Sequence, residues 1–418
     1  MAHSTLPGFR DFYPEQLAER AYVTRAWRAV AVRYGFAEYD GPPLEPLELY
    51  TAKSGEEIVG QLYNFTDKGG REVAMRPEMT PTFARMVGAR ANSLRKPTRW
   101  FSTPQLFRYE RQQKGRLREH YQLNVDIVGE SGVAGDAELL ACAIDICREL
   151  RLGPDDVVVR VSDRRVMQAY LTALGIPDTA LPVVFAVVDK IARQPRDVSA
   201  EKLRAAGLAE DQLDAVLAIP DATIDTIRNV LTDEVGSALI ADMERVFEYV
   251  DALVPDGRSW MRFDMSIVRG LAYYTGIVFE LFDRSGEFRA ICGGGRYDNL
   301  LGALAGTPLP ALGFGMGDVV LTELLRARGL LPAQEPSLDY WVTADEDVPM
   351  AVVMAEASRL RTAGHSVEYS LRPQSLSKQR KAARAAGART LIHMTNSMTS
   401  TVPDSSGAEA QSTPRFDG

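Results

Sequence analysis

The residues with the most chemical content lie between Phe107 and Gly129. Arg108, Arg111, Lys114, Arg116 and Arg118 fall within eleven residues of a chain whose net charge is −8. Gln112–Gly115 reads as a turn, and Phe107–Arg111 and Tyr121–Val128 carry β-forming residues in rough alternation. The expected local structure is two antiparallel strands joined by a basic loop. Arginines placed there can neutralise phosphate oxygens, each guanidinium giving two parallel hydrogen bonds. On charge alone, a solvated surface hairpin is the alternative. A second stretch, Arg76-Pro77-Glu78-Met79-Thr80-Pro81, stands between strand-like and helix-like residues. Glu78 there can hold a substrate ammonium, which needs a paired anion once buried; simple helix capping is the alternative. In Asp264–Glu280, a core strand accounts for Ile277, Val278 and Phe279 but not for Arg269-Gly270-Leu271 or Tyr273-Tyr274-Thr275-Gly276. Finally, Cys292 leads into Gly293-Gly294-Gly295-Arg296-Tyr297-Asp298, read as a strand entering a glycine-rich turn where backbone can approach a ligand.

Together these stretches resemble the signatures of class II aminoacyl-tRNA synthetases, and within them the histidyl-tRNA synthetase family. F-R-x-E-R, a turn, R-x-R-E and Q-L-N resemble motif 2. R-P-E-x-T resembles the histidine-site loop, and R-G-L-x-Y-Y and G-G-R-Y-D resemble the two histidine motifs. The resemblance implies that Arg108 contacts the α-phosphate of ATP and of the adenylate, with Arg116 and Arg296 as further ATP contacts. It implies that Glu78, Met79 and Thr80 bind histidine from one loop, with Glu78 on the α-ammonium. Gln122 and Asp126 then reach it from a strand, and Tyr273 and Tyr274 line the imidazole pocket. Arg269 is implied to contact the substrate carboxylate and the α-phosphate, making Arg108 and Arg269 the catalytic pair. The implied reaction is activation of histidine by ATP with Mg²⁺, then acyl transfer to tRNA(His). Placement and charge neutralisation suffice for it, and no covalent nucleophile is required. No side chains are assigned as metal ligands.

The pattern has departures. His120-Tyr121 stand where many members have Phe-His, Gln112 replaces a common Pro, and Ala272 replaces an Asp. Leu312–Leu321 resembles motif 3, a strand feeding a helix, but Val319-Val320 stand where Glu-Arg is common. The arginine that class II enzymes direct at the γ-phosphate is therefore missing from its place; either Arg296, Arg116 or bound metal supplies the charge, or ATP binding is weakened. The related alternative is the synthetase-like regulatory subunit of ATP phosphoribosyltransferase, which shares the catalytic fold. Val320, Ala272 and the unusual C-terminus suit that alternative; Arg108, Glu78, Gln122 and Arg269 suit the enzyme.

The elements that must position these residues follow from composition and periodicity. The 418 residues allow roughly two to four domains of ~100–200 residues. Hydrophobic and charged fractions of 45% and 25% are those of an ordinary soluble protein. The acidic net charge does not suit a bulk nucleic-acid binder, so tRNA contacts must come from local basic patches. Cys142, Cys147 and Cys292 lack disulfide-framework or zinc spacing. No apolar run reaches ~18 residues and no signal segment is evident, so a cytoplasmic protein with no membrane partner is expected. Leu6–Pro14 resembles the family's G-x-x-D-x-x-P opening. The helix from about Glu15 to Tyr34 and a strand ending at Pro43 resemble motif 1, which implies a homodimer. The expected fold class is α+β: a class II antiparallel sheet flanked by helices, with a helical insertion and a small C-terminal α/β domain. Residues 1–169 and 256–331 are the two parts of the catalytic domain, and 170–255 is the insertion. Residues 338–394 read as βαβαβ with a basic helix, Leu376–Ala386, resembling an anticodon-binding domain cut short. Residues 395–418, rich in Ser, Thr, Pro and Gly without periodicity, are expected to be disordered. If the motif 1 reading holds, the same surface meets itself across a two-fold axis. Sedimentation at micromolar concentration should then give twice the chain mass, and a monomer would contradict it.

Overall fold

A computed structural model of the chain describes residues 4–54, 56–109, 115, 117–191, 193–268, 274–332, 338–395 and 399–403. The chain divides into two compact units, Met1–Leu331 and Pro332–Gly418.

The first unit opens with α1 (Pro14–Arg33), whose first residue is a proline already holding a helical φ. The helix ends before Gly35, at φ 74°. Then come β1 (Ala37–Glu38), β2 (Leu44–Pro46) and α2 (Glu48–Ser54). The hairpin expected around Lys68–Gly70 is β3 (Asn64–Thr66) with β4 (Glu72–Met75), and the Asp67 carboxylate accepts the N–H groups of Gly69 and Arg71 to close it. Next are α3 (Thr80–Arg90), β5 (Thr98–Ser102), β6 (Gln105–Phe107), β7 (Glu119–Val128), α4 (Val133–Glu149) and β8 (Val157–Asp163). The helical section holds α5 (Arg164–Ala173), α6 (Leu181–Val188), α7 (Arg196–Ala205), α8 (Glu210–Leu217), α9 (Ile224–Val230) and α10 (Glu234–Leu253). The unit closes with α11 (Gly257–Trp260), β9 (Met261–Phe263), β10 (Ile277–Asp283), β11 (Cys292–Arg296), α12 (Leu300–Ala305), β12 (Ala311–Gly317) and α13 (Asp318–Ala327).

The main sheet runs β1-β5-β7-β12-β11-β10-β8-β9, with β6 added on β7. Only the outermost pairs, β1 with β5 and β8 with β9, are parallel; the pairs between them are antiparallel. Side chains alternate across the sheet. Leu123, Val125 and Ile127 of β7, Phe314 of β12 and Phe279 of β10 face a core completed by α1, α4, α10 and α13. Val128 and Val278 face a smaller core with Phe83 and Val87 of α3 and Leu301 of α12. That second face therefore also receives Gln122, Asn124 and Asp126. The glycines of β11 stand within the strand and not in the expected turn. The reason is packing: a Cβ at Gly294 would come 2.5 Å from the Phe314 Cβ.

The helical section has its own core of residues such as Met167, Val184, Leu203, Leu213 and Ile240. Residues 170–255 do not separate cleanly, because Met243, Val246, Phe247 and Val250 of α10 pack into the main core.

In the second unit, β13 (Leu338–Ala344), α14 (Met350–Thr362), β14 (Val367–Tyr369), α15 (Leu376–Ala385) and β15 (Ala388–Met394) give the expected parallel βαβαβ order. The expectation of a structureless tail from residue 395 fails over β16 (Thr399–Pro403), which pairs antiparallel with β15. Its Ser/Thr-rich sequence carries no apolar alternation, but the edge of β15 offers it a ladder of backbone groups. Residues 396–398 and 404–418 lie outside the described residues. A chain stopped after Thr395 should lose stability in this unit by a few kcal/mol, since each ladder hydrogen bond contributes about 1 kcal/mol net. A chain stopped after Pro403 should not. Urea unfolding of the two truncations checks this, and equal stability would contradict a paired β16.

Candidate active site

Two cavities open on the polar face of the sheet and share Arg108, Gln122, Gly293 and Gly315. The smaller, about 100 Å³, is lined by Glu78 and Thr80 at the start of α3, by Asn124 and Asp126 of β7, and by Tyr274 and Tyr297. Asp126 is only 4% exposed and accepts a hydrogen bond from the Tyr297 hydroxyl. Burial pushes its carboxyl up to about 7, although the Tyr297 bond works the other way. The larger cavity, about 900 Å³, lies against Glu280 and Phe282 of β10, Arg289 of the following loop, and Val320 and Glu323 of α13. Asp189 and Arg193 of the helical section also line it.

Arg108 stands where the cavities meet, and its position is fixed twice. Its Nε donates to the Pro77 carbonyl at 3.0 Å, and its backbone N–H donates to the Arg118 carbonyl at 2.9 Å. The opening loop braces the same hairpin. Arg10 donates to Glu119 at 2.6 Å and to Asp318 at 2.9 Å, while the Arg118 N–H donates to the Gly8 carbonyl at 3.0 Å. Asp318 also accepts the Tyr121 N–H at 2.9 Å, so the first turn of α13 is tied to β7. An amino acid in the small cavity and a nucleotide in the large one would present their carboxylate and α-phosphate to the same guanidinium.

A sequence profile of histidyl-tRNA synthetases matches residues 8–318. The chain belongs to the histidyl-tRNA synthetase family. It is 45% identical over 389 residues to the histidine–tRNA ligase of Opitutus terrae, covering 92% of this chain and 89% of that protein. It is 40% identical over 388 residues to the chloroplastic/mitochondrial histidine–tRNA ligase of Arabidopsis thaliana, covering 92% of this chain and 79% of that one. Among solved structures, histidyl-tRNA synthetase from Nostoc sp. PCC 7120 superposes with a TM-score of 0.80 at 25% identity, over 96% of this chain and 97% of that one. A Bacillus halodurans protein described as an ATP phosphoribosyltransferase regulatory subunit/histidyl-tRNA synthetase superposes at 0.79 with 20% identity, over 95% of this chain and 100% of that one. That second likeness concerns the fold alone.

Of the histidyl-tRNA synthetase residues expected here, Arg108, Glu78, Thr80, Gln122, Asp126 and Tyr274 come together around the small cavity. Met79 does not. It is fully buried, with its sulfur 4.0 Å from Arg76 Nη1, because it points away from the cavity that its neighbours Glu78 and Thr80 line. Arg296 is not available to ATP either. It is 5% exposed, pairs with Asp136 at 2.5 Å, and donates to the carbonyls of Glu130 and Gly132. Arg269, Tyr273 and Arg116 lie outside the described residues. Asn124 and Tyr297 are polar side chains of the small cavity's lining to which sequence reasoning gave no role. Both were within reach: Asn124 lies in step with Gln122 and Asp126, and Tyr297 is the tyrosine of G-G-R-Y-D.

The buried Asp126 carboxyl has a stability consequence. Its folded-state pKa lies above the unfolded value of about 3.9, so the fold disfavours its charged form. The penalty is absent at low pH, grows as pH rises through that interval, and is complete above about 7. Relative to Asp126→Asn, the wild-type protein without ligand should therefore lose a few kcal/mol between about pH 4 and pH 8. Urea unfolding of both proteins across this range measures it, and a pH-independent difference would contradict the assignment.

Proposed function

We propose that the chain is a histidine–tRNA ligase, which activates histidine with ATP to histidyl-adenylate and passes the histidyl group to tRNA(His). The observation that carries this reading is the meeting of an amino-acid-sized cavity and a nucleotide-sized cavity at Arg108. In the small cavity, Glu78 pairs with the α-ammonium, Gln122 orients the substrate, and the Asp126–Tyr297 pair addresses the imidazole. A carboxylate oxygen of histidine attacks the α-phosphorus and pyrophosphate leaves. Arg108 and Arg269 neutralise the charge that develops between carboxylate and phosphate, and a preorganised donor costs no reorganisation at that moment. A ribose hydroxyl of tRNA then attacks the acyl carbon and AMP leaves.

Mg²⁺ would enter with ATP and offset phosphate charge. Among the described residues no group of three or more His, Cys, Asp or Glu stands ready to hold an ion. Phosphate oxygens and water would carry most of the ion's coordination, with Glu280 or Glu323 at the cavity wall as an added oxygen ligand. In the second unit, Lys378, Lys381 and Arg384 are exposed on α15 and are the proposed tRNA contacts there. Such phosphate contacts weaken with salt. A homodimer formed through the α1–β2 region and a cytoplasmic setting complete the reading. No helix among the described residues is long and apolar enough to cross a membrane, and the three cysteines are buried.

Histidine-dependent exchange of pyrophosphate into ATP by the purified protein tests the reading; a chain that binds histidine without exchange would act as a sensor instead. Arg108→Ala should lower exchange ~10²-fold or more, the scale for removing one preorganised donor. Exchange within a few-fold of wild type would remove Arg108 from the chemistry. Glu78→Gln should weaken histidine and histidinol together, since both carry the ammonium, and calorimetry showing unchanged affinity for both would place the pocket elsewhere.

A further inference from the structure

Of the ATP cavity's walls, the first turn of α13 is apolar where a triphosphate needs cations. Val319 and Val320 line it, and Val320 is 8% exposed. A cation nonetheless stands beside that spot. A Cβ placed on Gly115, in the loop between β6 and β7, would lie 3.3 Å from Val320 Cγ2 and 3.8 Å from Arg289 Cδ. Gly115, Val320 and the stem of Arg289 thus converge, although they come from the motif 2 loop, from α13 and from the β10–β11 connection. Arg289 is exposed and lines the larger cavity but not the smaller one.

The other described arginines of the cavity are placed for different work. Arg108 sits at the junction, held by Pro77. Arg160 stacks over the Phe282 ring at 4.6 Å and stands 3.7 Å from Asp264. Arg193 belongs to the helical section across the cavity. Arg296, which lines neither cavity, is held in its buried pair with Asp136.

We propose that Arg289 receives the β- and γ-phosphates of ATP, and pyrophosphate in the reverse direction, beside the apolar surface of Val320. Its planar fork can grip two phosphate oxygens at once, and a lysine would supply the charge without that geometry. The proposal rests on the ligase reading and adds a substrate-binding residue to it. It also accounts for a helix α13 without arginine in its first turn: the cation arrives from the neighbouring loop.

The test uses the full chain with Arg289→Ala and Arg289→Lys. Three quantities are measured: the KM for ATP and for pyrophosphate in exchange, and the Kd of a non-hydrolysable histidyl-sulfamoyl-adenosine, which has no β- or γ-phosphate. Arg289→Ala should raise both KM values about ten- to hundred-fold, the scale of one hydrogen bond between charged groups. The Kd of the analogue should stay within two-fold, and Arg289→Lys should recover part of the loss. An ATP KM within two-fold of wild type overturns the assignment. Equal losses for ATP and the analogue also overturn it, since they would place Arg289 against the adenosine or in the fold. A wild-type chain with neither exchange nor analogue binding overturns the ligase reading itself, an outcome visible before any variant is made.

Discussion

The candidate active site depends on side chains that are absent from one face of β12. Gly313 lies opposite Asp126 in the antiparallel ladder, Gly315 opposite Asn124 and Gly317 opposite Gln122. A Cβ on Gly313 would overlap the Asp126 carboxylate, and one on Gly315 would come 2.8–2.9 Å from the Gln122 amide. Glycine in a strand interior costs about 0.5–1 kcal/mol relative to alanine. That cost leaves a polar trough in the middle of a sheet, where the side chains of β7 turn towards a ligand without meeting their neighbours. The opposite faces of the same strands, with Leu123, Val125, Phe314 and Met316, are packed into the core. One pair of strands therefore anchors the fold with one set of residues and shapes the substrate pocket with the alternate set.

Burial sets the electrostatics of this trough. Asp126 has the Tyr297 hydroxyl as its hydrogen-bond partner and is held near neutrality by desolvation. In the proposed reading, an imidazole bound there would meet a carboxyl able to titrate around neutral pH. Behind the sheet, Arg296 and Asp136 form a buried pair in which burial still pushes Asp136 up to about 6, against the lowering effect of the arginine. Buried pairs of this kind contribute little net stability, but removing one partner is costly because the other is left charged and unmatched. The pair joins β11 to α4. The Arg10–Glu119–Asp318 network joins the opening loop to β7 and α13 in the same manner.

Much of this was legible because it lives on period-two strands and on turns with strong local rules. The β3–β4 turn and the small parallel sheet came from alternation and residue type, whereas the grouping of Glu78, Arg108, Gln122 and Asp126 was what the family resemblance implied. What escaped was mostly direction. Arg296 has the right type in the right motif, but it stands opposite Leu312, on the face that packs into the core, and not on the face of Gly293, which lines both cavities. Met79 sits between two lining residues and points the other way. β16 was hidden because a Ser/Thr-rich strand needs only backbone partners, and its partner edge is created by the fold. Arg289 belongs to no motif at all. Its significance comes from a convergence of three segments that are distant in sequence.

The most direct test of the whole arrangement is a crystal structure of the protein with bound histidyl-sulfamoyl-adenosine. One ligand should cross both cavities: imidazole at Asp126 and Tyr297, ammonium at Glu78, the sulfamoyl group against Arg108, and adenosine in the larger cavity. A ligand confined to one cavity, or one whose central linkage lies away from Arg108, would contradict it.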